Sequence, residues 1–168
     1  MILSTCIITS PIWDLIAIAS DESLLLLEFS DSWERENTIQ KIEKQYKNAV
    51  SDHKNLILEK TEKELDEYFK WKRKNFTIPY EIHGTLFQKK AWQALMAIPY
   101  WQTRNYQEQA TQIDHAKAVR AIWGANHNNP IVIIIPCHRV IGKSGKLVGY
   151  GGWIEKKIWL LAHEQKYK

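Results

Sequence analysis

The residues with the most chemistry to offer lie together near the C-terminal end, in the run Ile135-Pro136-Cys137-His138-Arg139-Val140. The run follows the apolar stretch Ile131-Val132-Ile133-Ile134, which reads as a buried strand. A thiolate is a strong nucleophile, and a histidine beside the thiol can take its proton. The same residues also suit a structural cysteine, because cysteine packs into cores as a small hydrophobe. On this run alone both readings stand. The chain's other cysteine, Cys6, falls in a strand-like segment and reads as core. Two cysteines in 168 residues make no disulfide framework, and the expected setting is a reducing cytoplasm with free thiols. Structural zinc usually takes four Cys or His ligands. Cys6, His53 and His83 are too few and too scattered for that, so neither a metal nor a cofactor is expected.

The elements that must position this run change character along the chain. Ile2 to Ile8, Trp13 to Ala19 and Ser23 to Phe29 are short β-rich runs joined at Pro11 and Asp21-Glu22, the pattern of an antiparallel meander. Thr38 to Val50 and Thr61 to Lys72 are charged segments with helical spacing, including Leu65, Tyr68 and Phe69. Asn75 to His83 reads as an extended linker. Beyond it Thr85 caps a helix from Leu86 to Ile98. Tyr106 to Gln112 and His115 to Gly124 are two short helices around a tight turn, which is either a helix-turn-helix or an ordinary packed pair. Gly142 to Gly152 reads as a mobile, glycine-rich loop. Ile154 to Gln165 reads as a closing helix that buries Ile158, Leu161 and Ala162. The fold expected is therefore α/β in the α+β sense. Residues 1–80 form an N-terminal domain with a small antiparallel sheet and helices, and residues 84–168 a mainly helical domain carrying the cysteine turn.

A hydrophobic fraction of 45% with 25% charged residues fits a globular chain. No apolar run approaches the roughly 20 residues of a membrane span, and Met1 to Ser10 does not read as a signal peptide. The net charge of +4 is unevenly placed. Residues 1–83 carry −4 and residues 84–168 carry +8, so the half with Cys137 is the basic one. Such a face suits a phosphate backbone through counterion release, and it equally suits a solvated surface.

From Gly84 to Glu164 the chain resembles the alkylguanine-DNA alkyltransferases, also called methylated-DNA–protein-cysteine methyltransferases. The blocks occur in order: Gly84-Thr85-Leu86-Phe87-Gln88-Lys89-Lys90-Ala91-Trp92, Ile98-Pro99-Tyr100, Tyr106, Ala118-Val119-Arg120-Ala121, Asn129-Pro130, Pro136-Cys137-His138-Arg139-Val140, Gly149-Tyr150, Gly152, Lys157 and Leu160-Leu161-Ala162-His163-Glu164. Asn129 stands eight residues before Cys137 and Glu164 twenty-seven after it.

The resemblance implies repair of double-stranded DNA alkylated at O6 of guanine, and more variably at O4 of thymine. The alkyl group passes irreversibly to Cys137, so each molecule acts once, as a monomer. It implies His138 as the base acting through a water, Glu164 as its orienting acid, and Asn129 as the brace between recognition helix and cysteine turn. It places the Tyr106 hydroxyl on the base's ring nitrogen, Val140 and Val148 at its edge, and Gly149, Tyr150, Gly151 and Gly152 along one side of the pocket. Arg120 becomes a finger that fills the stack after the target base flips out. Ala118 and Lys117 lie with it on a helix docked in the minor groove, where small side chains allow close approach. Arg139 is expected in an ion pair behind the reactive turn, and His163 in packing beside Glu164. Trp101 stands where the family more often has glycine, and Gly151 where several members have a polar residue; both are expected near the DNA or pocket side. Three rivals remain: a damage-binding protein of the same architecture, a cysteine hydrolase, and a transcription regulator with this module.

Overall fold

The computed structural model describes residues 2–32, 34–147 and 151–168, with the side-chain surroundings of 151 and 152 left aside. Val148, Gly149 and Tyr150 lie outside the described residues. The chain forms two compact units, Met1–Ile82 and His83–Lys168. No helix of the described residues is long and apolar enough to cross a membrane.

In the first unit β1 (Leu3–Ile8), β2 (Leu15–Ala19) and β3 (Leu24–Phe29) make the expected antiparallel meander. A fourth strand, β4 (Val50–Asp52), pairs parallel with β1, giving the order β3-β2-β1-β4. The sequence reading placed Val50 at the end of a helix. Instead α1 (Arg35–Tyr46) stops at Lys47, whose φ of 54° turns the chain while Asn48 N–H donates to the Glu43 carbonyl. That leaves Val50 free to pair with Leu3. Every residue of β2 is buried, because both faces of the sheet are covered. Ile16, Ile18 and Leu26 pack with Ile39 and Ile42 of α1. The long amphipathic helix α2 (Leu56–Phe69) buries Leu58, Leu65, Tyr68 and Phe69. It begins five residues before the expected Thr61, because Asn55 caps it by accepting from Leu58 N–H at 3.0 Å. The linker is anchored as well. Leu24 N–H donates to the Pro79 carbonyl, Glu81 N–H donates to the Leu24 carbonyl, and buried Glu64 accepts from Thr77 N–H at 2.7 Å.

The second unit comprises α3 (Leu86–Met96), β5 (Arg104–Asn105), α4 (Tyr106–Gln112), α5 (Val119–His127), a single 3-10 turn (Cys137–Arg139), β6 (Val140–Ile141) and α6 (Gly151–Lys166). Its centre is Ala91, Ala110, Ile122 and Ala125, small residues that bring α3, α4 and α5 close, with Phe87, Tyr106, Ile113 and Val119 around them. Capping boxes start two of the helices, Thr85 with Gln88 and Asn105 with Glu108. Asp114, at φ 61°, ends α4, with His115 N–H donating to the Ala110 carbonyl and Asp114 N–H to Thr111. The second helix therefore starts at Val119 rather than His115. Lys117 and Ala118 belong to the turn, which Ala118 N–H closes onto His115 at 2.7 Å.

Two further expectations are corrected here. Ile131 to Ile134 is buried but is not a strand. It coils, with Ile135 N–H donating to the Ile131 carbonyl and Ile133 at φ 71°. Asn129 makes this possible by bonding both ends: its amide donates to the Ile135 carbonyl at 2.7 Å, and its carbonyl accepts from Ile131 N–H at 3.0 Å. On α6 the buried side is Lys156, Lys157, Leu160, His163 and Glu164, while Ile158 is 48% exposed and Ala162 lies on the surface. A hydrophobic stripe misreads this helix, because its polar residues face buried partners described below.

Candidate active site

Cys137 opens the 3-10 turn, with its own N–H donated to the Ile135 carbonyl at 2.8 Å. It stands partly exposed in a recess of about 640 Å³, open mouth included, together with Tyr106, Asn129 and His138. Val132, Ile133 and Leu160 give the recess apolar surface. Burial pushes the thiol above its ordinary pKa; the Asn129 side chain and the Lys157 ammonium pull it part of the way back. At rest the group is therefore a thiol, and it needs a proton acceptor to become a nucleophile.

That acceptor is adjacent. His138 is buried, and its Nε2 lies 2.8 Å from Glu164 Oε1. Burial holds the imidazole below its usual pKa against the pull of Glu164, so it is neutral near pH 7. A neutral ring beside a carboxylate carries its proton on Nε2, assigned from this bond, and exposes a lone pair on Nδ1. Nδ1 has no hydrogen-bond partner among the described residues. Glu164 is fully buried. Burial pushes its carboxyl up, but His138 and Arg139 outweigh that and hold it well below the carboxylate range. Arg139 donates from Nε to Oε2 and from Nη2 to Oε1, both at 3.0 Å, and from Nη1 to the Ile98 carbonyl at 2.7 Å. This is a buried, bidentate ion pair whose charges compensate each other. His163, next to Glu164, stacks on Trp159 with ring centroids 4.9 Å apart.

Trp101 also reaches Glu164, through its backbone. Its N–H donates to Oε2 at 2.9 Å, and Gln165 Nε2 donates to its carbonyl at 2.9 Å. The residue sits at φ 63°, the left-handed region that favours glycine. The departure from the family's glycine thus lies behind the carboxylate, and Trp101 is not among the described residues that line the recess.

The structure brings Cys137, His138, Asn129 and Tyr106 to one recess, with Glu164 directly behind His138. Val140 does not line it; its carbonyl accepts from buried Lys157, whose ammonium lies 5.6 Å from the Tyr106 ring centroid. Gly151 and Gly152 open α6. Arg120 is exposed on the first turn of α5, and Lys117 and Ala118 precede that helix; none of the three borders the recess. Trp123, Asn126, His127 and Trp153 are among the lining residues that escaped the sequence reading. The i, i+4 spacing of Trp123 and His127 was the available signal. No group of three or more His, Cys, Asp or Glu among the described residues is placed to hold a metal ion.

Residues 5–82 match the family described as 6-O-methylguanine DNA methyltransferase, ribonuclease-like domain, and residues 86–166 match that enzyme's DNA binding domain. A methylated-DNA–protein-cysteine methyltransferase of Mycobacterium leprae is 50% identical over 102 residues, which is 61% of this chain and 62% of that protein. The alignment thus spans less than two thirds of that relative's length. A protein of the same name from Methanosarcina mazei is 40% identical over 159 residues, 95% of each chain. Among solved structures, O6-methylguanine methyltransferase of Mycobacterium tuberculosis superposes with a TM-score of 0.84 at 35% identity, covering 99% of this chain and 95% of that one. A structure of the Mycobacterium tuberculosis protein in complex with DNA gives 0.82 at 36% identity, covering 99% and 94%. With both halves of the chain matched and one relative aligned nearly end to end, the chain belongs to the 6-O-methylguanine DNA methyltransferase family.

Proposed function

We propose that this chain repairs double-stranded DNA by moving an alkyl group from O6 of guanine, or O4 of thymine, onto Cys137. His138 Nδ1 accepts the thiol proton through a water. The sulfur attacks the alkyl carbon, the S–C bond forms as the C–O6 bond breaks, and guanine leaves as an anion that takes up a proton. The product is a thioether with no acyl carbon for water to attack, so nothing regenerates the thiol and each molecule acts once. Glu164 keeps His138 in the productive tautomer and stabilises the imidazolium that forms. Tyr106 donates to the leaving ring, where charge develops. Asn129 fixes the coil beneath the cysteine. Residues 84–168 carry the chemistry and residues 1–80 form a separate N-terminal domain.

A base inside a duplex cannot enter a recess of this size, so the target nucleotide leaves the stack. That costs a few kcal/mol, less at a damaged pair. Arg120, exposed at the start of α5, fills the gap from the minor groove, with Lys117 and Ala118 against the backbone. The protein acts as a monomer in the cytoplasm, where its thiol stays reduced.

One observation carries this reading: a part-exposed cysteine beside a buried histidine whose far nitrogen is held by an ionised glutamate. The DNA complex of the Mycobacterium tuberculosis protein supports the choice of substrate. The test is mass spectrometry of intact protein and its peptides after mixing with a duplex bearing one O6-methylguanine. We expect one methyl on the Cys137 peptide, at one equivalent, and none in Cys137→Ala. Tight binding to that duplex with no gain in mass would replace the transferase with a damage-recognition protein.

A further inference from the structure

Arg120, Trp123 and His127 occupy positions i, i+3 and i+7 of the α5 region, so they follow one face of the helix. Arg120 is at the exposed end of that face, and Trp123 and His127 reach the recess that holds Cys137. The two rings are nearly parallel, 13° between planes, with centroids 6.1 Å apart, an offset stack. Trp123 remains 37% exposed, so part of its ring is open at the recess. Across the recess Trp153 and Tyr106 add two more aromatic rings, and no Asp or Glu among the described residues lines it. The aromatic faces give the recess a broad apolar wall, with Lys157 the cation at its lining. The wall leads from where a base would leave the duplex to where its alkyl group would be attacked.

We propose that Trp123 and His127 form a stacking platform for the extrahelical purine, a substrate-binding element of α5 that acts before and during transfer. The inference rests on the transfer reading above. A purine presents a π-face whatever its substituent, so the platform accepts the base without reading sequence. It holds the base by dispersion and stacking, while Arg120 and the basic surface hold the backbone. A base stacked on Trp123 is kept from returning to the duplex, which raises the fraction of encounters that reach Cys137.

The experiment compares Trp123→Leu with Trp123→Phe. Leucine fills much of the volume without a ring face; phenylalanine keeps one. Single-turnover methyl uptake from a duplex bearing one O6-methylguanine is followed by intact mass, and affinity for the unmodified duplex is measured beside it. We expect Trp123→Leu to slow uptake about tenfold, within the range for losing one base–aromatic stack. Trp123→Phe should stay within about threefold, and both variants should bind the unmodified duplex like wild type. His127→Leu against His127→Phe carries the same contrast, so a folding failure in one pair leaves the other. Equal rates for leucine variants and wild type would overturn the platform. So would a matching loss of affinity for the unmodified duplex, which would make Trp123 a backbone contact. Wild type that takes up no methyl would instead overturn the transfer reading itself.

Discussion

Three of Glu164's partners each set a different property of the site. His138 takes its tautomer from Glu164, Arg139 supplies the charge that lets a carboxylate exist unexposed, and the Trp101 backbone pins the second oxygen. Glu164→Gln removes the anion and leaves Arg139 buried without a counterion, a change that costs about 3–5 kcal/mol. On the proposed mechanism it also weakens the base, and transfer should fall by about 100-fold. The two effects separate in a double variant. Adding Arg139→Met removes the orphaned cation, so urea denaturation should show most of the stability restored while single-turnover transfer stays slow. Recovery of both together would mean that Glu164 acts on the chemistry through folding alone.

At the scale of elements, α4 and α5 are joined by a buried pair of amides. Gln109 Nε2 donates to Asn126 Oδ1 at 2.9 Å, Asn126 Nδ2 donates back to Gln109 Oε1 at 2.8 Å, and Gln109 also reaches the Ala91 carbonyl of α3. Asn126 lines the recess, so this pair couples the helix-turn-helix to the cysteine's surroundings. Asn126→Leu strands the Gln109 amide and should cost about 1–3 kcal/mol, whereas Asn126→Leu with Gln109→Leu should cost much less than the sum of the single changes. Thermal or urea unfolding of the four proteins measures the coupling. None of this was legible in the sequence, where Gln109 and Asn126 are two polar residues seventeen apart. What could be read were the features that local chemistry dictates: three β-rich runs, the Thr85 cap, and Tyr106 to Gln112 as a helix. The cysteine, histidine, asparagine and glutamate were singled out through the family resemblance, and the structure brings them together. Three of the misreadings share one cause, which is that a tertiary partner overrode the local pattern. Val50 became a strand because Leu3 was available, Ile131 to Ile134 coiled because Asn129 satisfied its backbone, and α6 turned lysines and a glutamate inward because Val140, His138 and Arg139 needed them.

Over the whole molecule, buried ionisable groups set a window of pH. His138 is lowered by burial, so below about pH 6.5 the unfolded chain binds a proton that the native chain resists, and stability falls with acid. Glu164 is depressed as well; its contribution is complete above the carboxylate range and is lost as pH falls through its folded value. Cys137 and Cys6 are raised by burial, so above about pH 8.5 the unfolded chain releases protons that the native chain keeps, and stability falls again. The urea midpoint should therefore peak between about pH 6.5 and 8.5, with a shallower alkaline limb in Cys137→Ala. An alkaline limb equally steep in wild type and Cys137→Ala would contradict this assignment. The raised Cys137 thiol has another consequence. Peroxides attack the thiolate rather than the thiol, and the first oxidised form leads to states that no thiol reductant reverses. On the proposed single-use reaction, each molecule must wait for its lesion undamaged. Keeping the sulfur protonated until a partner arrives gives the waiting population a long shelf life in a cell full of oxidants.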